Sequence, residues 1–201
     1  MKKIIAIDVG NSETTVGVGN SKNWEGYRFT TRKTITSDEL LMMFKTIIDL
    51  DQIKENLIDG AIICSVVPQI TNSVATATSK FISKEAIVVG PGVKTGLKVN
   101  IDNPKELGPD RIANSIGGYI KSESAVIVID LGTATTFDLV NEKKEYLGGA
   151  IAPGIKISLD ALTSKTSSLK SVELETPKNV VGKNTYEASG FLNTFMISIT
   201  S

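Results

Sequence analysis

Short apolar runs broken by glycine and small polar residues alternate along this chain with stretches whose apolar positions recur every three or four residues. The first pattern predicts strands and the second predicts amphipathic helices. Residues 3–9 read as a buried strand, with residues 14–19 and 26–31 as its antiparallel neighbours. Asp38 is the expected N-cap of a helix through E-L-L-M-M-F-K-T-I-I-D-L, whose Leu, Met and Ile spacing makes one apolar face. Residues 60–67 form another predicted strand, ended by Pro68, and a Thr/Ser/Ala-rich helix follows. A short strand at 86–89 leads into a G-P-G turn, and a helix begins near Leu107 and continues through 115–120. Three further strands, 125–130, 135–140 and 145–151, have tight links, and G-G-A-I-A-P-G opens a last helix.

A strand triplet followed by helices thus occurs twice. This predicts an α/β protein of two related lobes with mixed sheets, over residues 1–115 and 116–201, and a nucleotide cleft between them. The 201 residues, 41% hydrophobic and 22% charged, suit one or two lobes with real cores. Lys plus Arg equals Asp plus Glu at 22 each, so no global basic field exists to hold nucleic acid, and direct nucleic-acid binding is not expected. One cysteine and no histidine exclude an intrachain disulfide, a Cys/His zinc cluster and a histidine-based triad. Cys64, in A-I-I-C-S-V-V, reads as a small buried residue. The apolar run before Asp8 is too short for a signal peptide, and no run approaches the roughly 18 apolar residues of a membrane span. A soluble cytoplasmic protein is the expectation.

Both triplets share one unusual junction. An apolar strand runs into D-V-G-N-S-E-T-T at 8–15 and into D-L-G-T-A-T-T-F-D at 130–138. A phosphate bound at a tight turn needs backbone N–H groups and no side chain in the way, which Gly10 and Gly132 supply. Asn11, Ser12, Thr14 and Thr15 in the first junction, and Thr133, Thr135 and Thr136 in the second, are candidate donors. Neither is a Walker A loop or a G-x-G-x-x-G fingerprint. Asp8 and Asp130 would repel phosphate, and make better sense as ligands, direct or through water, for a cation that neutralises it. An ordinary hairpin turn is the other reading of each junction alone. Together they predict two turns facing one nucleotide cleft.

G-P-D-R-I-A-N at 108–114 also has two readings. Pro109 in a first helical turn with Asp110 near the positive end of the dipole would be purely structural. Alternatively Asp110 orients and deprotonates a substrate hydroxyl, and Arg111 clamps a carboxylate through two parallel hydrogen bonds.

On these segments the chain resembles the type III pantothenate kinases of the acetate and sugar kinase, Hsp70 and actin superfamily. D-V-G-N-S at 8–12 and D-L-G-T-A-T-T-F-D at 130–138 match the two phosphate loops. N-P-K-E-L-G-P-D-R-I-A-N at 103–114, G-G-A-I-A-P-G-I at 148–155, S-V-V-P at 65–68 and G-K-N-T at 182–185 also fit. The resemblance implies two actin-like (ribonuclease H-like) lobes and ATP-dependent phosphorylation of pantothenate, the first step toward coenzyme A. It implies Asp110 as base, with Gly108, Asp110, Arg111 and Thr185 at the substrate. ATP would be held by Asp8, Val9, Gly10, Asn11, Ser12, Thr14, Thr15, Gly132, Thr133 and Thr135. Asp8 would serve magnesium-ATP, and Asp130 a monovalent cation (K+ or NH4+). A homodimer whose pocket borrows residues from the second subunit is implied as well. The helix carrying Ile112 and Asn114 would lie near that contact.

Three departures from the family pattern stand out: Pro109 where alanine is usual, no aromatic residue at 99–102, and an early stop after F-L-N-T-F-M-I-S-I-T-S. The last suggests a shortened second lobe and weak ATP binding and catalysis by this chain alone. The alternatives are a non-catalytic nucleotide-binding regulator and a kinase for another small hydroxy compound.

Overall fold

In the computed structural model, which describes residues 2–50, 53, 57–90, 92–166, 181, 183 and 184, the apolar runs are strands. β1 (Lys3–Val9), β2 (Glu13–Gly19) and β3 (Trp24–Thr30) form an antiparallel triplet. β4 (Ile58–Ser65) pairs in parallel with β1, and β5 (Ile87–Val88) in parallel with β4, giving the order β3-β2-β1-β4-β5. Strand alternation puts Ile5, Ile7 and Val9 in the core while Ile4 and Asp8, on the opposite face, stay exposed.

α1 (Ser37–Leu50) and α2 (Pro68–Ile82) cover the buried face. Leu40, Phe44 and Ile47 of α1 and Ile70, Val74, Ala77 and Phe81 of α2 share one apolar cluster with Ile5, Ile7, Val9 and Ile63. The spacing of these residues is helical, which is why one stripe of each helix is dry. Rings of Phe44 and Phe81 meet at 6.0 Å between centroids.

Two helix starts differ from the sequence expectation. The cap of α1 is Thr36 and not Asp38. Thr36 Oγ1 accepts the Glu39 N–H at 3.3 Å, and Glu39 Oε2 accepts the Thr36 N–H and hydroxyl, each at 2.9 Å. Such a reciprocal box satisfies two donors where Asp38 alone would satisfy one. The Thr36 backbone and side-chain hydrogen bonds, in that order, hold the Glu39 carboxyl below its usual range. Pro68, expected only to stop a strand, occupies the first turn of α2, where a missing N–H costs nothing.

Farther along come β6 (Lys98–Val99), a 3-10 turn at Pro104–Glu106, α3 (Pro109–Ser122), β7 (Val126–Leu131), β8 (Ala134–Val140), β9 (Glu145–Pro153) and α4 (Ile155–Lys165). The second sheet has the order β6-β9-β8-β7. β6 is too short for any periodicity to announce it. Its existence rests on parallel pairing of Lys98 with Glu145 and Val99 with Tyr146.

The chain divides into two compact units, Met1–Val126 with Val140–Leu147, and Ile127–Leu139 with Gly148–Ser201. The first carries both apolar clusters, the second of which joins Leu97, Leu107, Val140 and Tyr146 to Ile112, Ile116 and Tyr119 of α3. Among the described residues, two mixed sheets and four helices make this an α/β fold, as the strand and helix periodicities predict. Among the described residues no helix is long and apolar enough to cross a membrane.

Candidate active site

The first junction closes as a tight turn between β1 and β2. Gly10 N–H donates to Glu13 C=O at 2.9 Å, and a Cβ on Gly10 would lie 2.9 Å from that same oxygen, so the turn has no room for a side chain. Asp8, Asn11 and Ser12 are exposed at the end of the strand. Val9 is wholly buried, and its carbonyl accepts Val66 N–H at 3.0 Å, so its side chain serves the core. Thr15 is half-buried. Thr14 is buried, and its hydroxyl lies 2.9 Å from that of Thr31.

Parallel pairing sets Cys64 of β4 beside Asp8 of β1. α3 packs on β4 and brings a second carboxylate to the same place. The Cys64 thiol is pushed up to about 12, first by burial, then by the negative charges of Asp8 and Asp110. At neutral pH it is therefore an uncharged small side chain near two carboxylates and no nucleophile. The first unit thus gathers two expected site residues, Asp8 and Asp110, around one side chain that the sequence marked only as core.

Asp110 stands in the first turn of α3. Gly108 is the N-cap and Pro109 follows at the first helical position, where its fixed φ suits the helix, so the departure at 109 enters the helix without strain. Asp110 Oδ1 accepts the Arg111 N–H at 2.8 Å, satisfying one of the unpaired donors of the helix start. That same oxygen lies over Gly108, where a Cβ would strike it. Asp110 thus braces the first turn of the helix, and its charge reaches the thiol beside Asp8. Among the described residues Oδ2 has no hydrogen-bond partner.

Arg111 is half-buried, with its guanidinium carbon 5.9 Å from the centroid of the Tyr146 ring. Tyr146 is a site neighbour that sequence reasoning missed. Its strand pairs with the Lys98–Val99 segment, so the aromatic absent from 99–102 stands on the adjacent strand. No local signal could have revealed this, because the pairing joins distant parts of the chain.

The second junction belongs to the other unit. Asp130, one residue before the end of β7, is half-buried, and Gly132 and Thr133 are exposed between β7 and β8. Gly132 N–H donates to Ala134 C=O at 3.0 Å. Thr135 and Thr136 are buried, and Thr136 Oγ1 donates to Asp138, itself fully buried, at 3.3 Å. The start of α4 lies against this turn: Gly154 N–H donates to Thr133 C=O at 3.1 Å. A Cβ on Gly154 would collide with the carbonyl oxygens of Gly132 and Thr133 and come within 2.8 Å of the Thr133 carbonyl carbon. Thr185, the remaining expected substrate residue, lies outside the described residues, as does Gly182 of G-K-N-T.

Comparison with known proteins bears on this arrangement. A family model for type III pantothenate kinase matches residues 4–201. The chain belongs to that family. A type III pantothenate kinase of Exiguobacterium sp. is 40% identical over 186 residues, covering 92% of this chain and 73% of the relative. That of Geotalea daltonii is 44% identical over 186 residues, covering 90% and 72%. A solved structure from Campylobacter jejuni, named for the Baf family of transcriptional activators, superimposes with a TM-score of 0.55 at 20% identity. It covers 98% of this chain and 76% of its own, a likeness of fold.

Family membership gives the donor set of this kinase relative a test. Among the described residues no group of three or more His, Cys, Asp or Glu side chains could cage a metal ion. Magnesium does not ask for a cage. It keeps several waters and is held by one or two carboxylates with substrate phosphates, so an exposed Asp8 beside a glycine turn fits it.

Proposed function

We propose that this chain transfers the γ-phosphoryl group of ATP to the primary hydroxyl of pantothenate, giving 4'-phosphopantothenate in the first step of coenzyme A biosynthesis. The observation that carries the reading is the convergence of Asp8 and Asp110 on Cys64 within one unit of a family member. The hydroxyl oxygen attacks the γ-phosphorus, the bond to the β–γ bridging oxygen breaks, and ADP leaves with that electron pair. Asp110 takes the hydroxyl proton through the oxygen that does not cap α3. Arg111, steadied over Tyr146, binds the pantothenate carboxylate in two parallel hydrogen bonds, with Gly108 and Thr185 at the same substrate.

In this reading the exposed turn receives phosphate oxygens on the backbone amides of Asn11 and Ser12, with Gly10 leaving room for them and Thr15 beside it. Asp8, with those oxygens, would hold magnesium, and the ion would supply charge neutralisation during transfer. Gly132 and Thr133 serve phosphate in the second unit, and Asp130 holds the monovalent cation, K+ or NH4+. The chain works in the cytoplasm as a homodimer. Ile120 of α3, 63% exposed, supports a contact on that helix.

The test is Asp110→Asn, which keeps the shape and the cap but cannot accept the proton. Pantothenate-dependent ADP release should fall by about 100-fold or more while ATP affinity changes less than about threefold. Parallel losses of both would make Asp110 a structural cap only. Nucleotide binding without any pantothenate-dependent turnover in the parent chain would favour the regulatory alternative.

A further inference from the structure

We propose that Thr31, which lies outside both glycine junctions, is the positioning residue of the first phosphate turn, with Thr14 as its partner. The proposal rests on the reading of that turn as a phosphate site.

Thr31 follows β3, and three hydrogen bonds tie it to the turn. Its hydroxyl donates to Gly10 C=O at 2.7 Å, and its N–H donates to Ser12 C=O at 2.9 Å. A hydroxyl has one proton, and that of Thr31 is spent on Gly10. The 2.9 Å contact between Thr14 Oγ1 and Thr31 Oγ1 therefore runs with Thr14 as donor. The result is a directed relay, Thr14 O–H to Thr31 O–H to Gly10 C=O. Thr14 is 8% exposed and commits its only proton inward, so it braces the turn and has no proton left for a phosphate oxygen.

The consequence for ligand binding follows from the planarity of the peptide. In a trans peptide the N–H of a residue points opposite to the preceding C=O. Pinning the Gly10 carbonyl to Thr31 thus turns the Asn11 N–H away from Thr31, and Asn11 is exposed. The Gly10 N–H is already taken by Glu13 C=O. Asn11 therefore offers an exposed amide to an anion, and the Thr31 hydroxyl sets its aim. Oriented donors of this kind bind phosphate well only when their direction is fixed beforehand.

Thr31→Val removes the hydroxyl at nearly constant volume, and Thr31→Ser restores it. With the full chain and magnesium-ATP, the Val variant should bind about 10-fold more weakly by calorimetry, as expected when a part-buried carbonyl loses its donor. The Ser variant should stay within about twofold of the parent, and the KM for pantothenate should not move in either. Amide hydrogen exchange at Asn11 should quicken in the Val variant and not in the Ser variant. Equal ATP affinity in the parent and Val variant, or a Ser variant as weak as Val, overturns the positioning role even if the kinase reading stands. A parent chain with no affinity for magnesium-ATP overturns the kinase reading and this proposal with it. Faster exchange at Asn11 would then show only that the hydroxyl braces the turn.

Discussion

The two glycine junctions look alike as sequence, yet different parts of the chain hold them in shape. At the first, the restricted glycine is in the turn itself: a Cβ on Gly10 meets Glu13 C=O at 2.9 Å, and the Thr31 hydroxyl, itself held by that of Thr14, braces the Gly10 carbonyl from the side. At the second, Gly132 is roomy, since a Cβ there would stand 3.6 Å from Ala134 C=O and 3.8 Å from Asp130 Oδ1. The tight glycine there is Gly154, at the start of α4, which packs backbone to backbone on the turn. Side-chain hydroxyls can be tuned by single substitutions at modest cost. A backbone contact leaves no such latitude, because only the absence of a Cβ permits it.

The largest effect expected from this contrast is that of Gly154→Ala. The new methyl meets two carbonyl oxygens and a carbonyl carbon that cannot rotate away, so α4 and the turn must part. We expect a stability loss of about 3 kcal/mol, at the upper end for overpacking. A turn displaced by about 1 Å should also lower turnover by about 100-fold. Urea unfolding and steady-state kinetics check both, and a neutral Gly154→Ala would remove the backbone arm of the comparison.

Gly10→Ala and Gly132→Ala sharpen the contrast as a pair. The first should cost about 1–2 kcal/mol, since Glu13 C=O must shift and its bond to the Gly10 N–H is strained. The second should stay within about 0.5 kcal/mol, as for an ordinary exposed position. Thermal unfolding that ranked the two equally would mean that both turns tolerate a methyl alike.

The smallest effect at neutral pH concerns Cys64, beside the first junction only. Its thiol is raised from 9.0 to about 12 in the fold, so the native chain binds one more proton than the unfolded chain between those values. The stability this represents is fully present below pH 9.0 and is lost as pH rises toward 12. A Cys64→Ala variant should match the parent near pH 7 in the pH dependence of its urea midpoint, and decline less steeply above pH 9.0. Identical slopes would mean that neither burial nor the Asp8 and Asp110 charges raise this thiol in the fold.

Most of the fold was legible in the sequence because its elements are long enough to show a period. β1 was readable to the residue as Lys3–Val9, since alternate Ile and Val positions are buried on one face. The capping box at Thr36 was also written in the sequence, as T-S-D-E, but Asp38 is itself a good cap and drew the boundary inward. The two-residue β6 was not legible, having no period to read. At the site, the acids and glycines stood out as types: Asp8, Asp110, Asp130, Gly10 and Gly132. Thr14 and Thr135 were expected to face phosphate and are buried instead. A threonine in a strand-end turn reads the same whether its hydroxyl faces in or out.

The sequence by itself determined which residues have the chemistry: carboxylates to carry a proton or a cation, glycines to free a backbone, an arginine to clamp an acid. Local pattern also determined the order of strands and helices, because burial of one face imposes its period on neighbours in the chain. Only the tertiary structure decided which of these groups meet. Parallel pairing of β1 with β4 put Cys64 beside Asp8, and the packing of α3 on β4 brought Asp110 to the same thiol. The β6–β9 register put an aromatic ring beside the segment that lacks one, and the approach of α4 made Gly154 the guardian of a turn it does not belong to. Such contacts join residues far apart in the chain, and no period in the sequence encodes them.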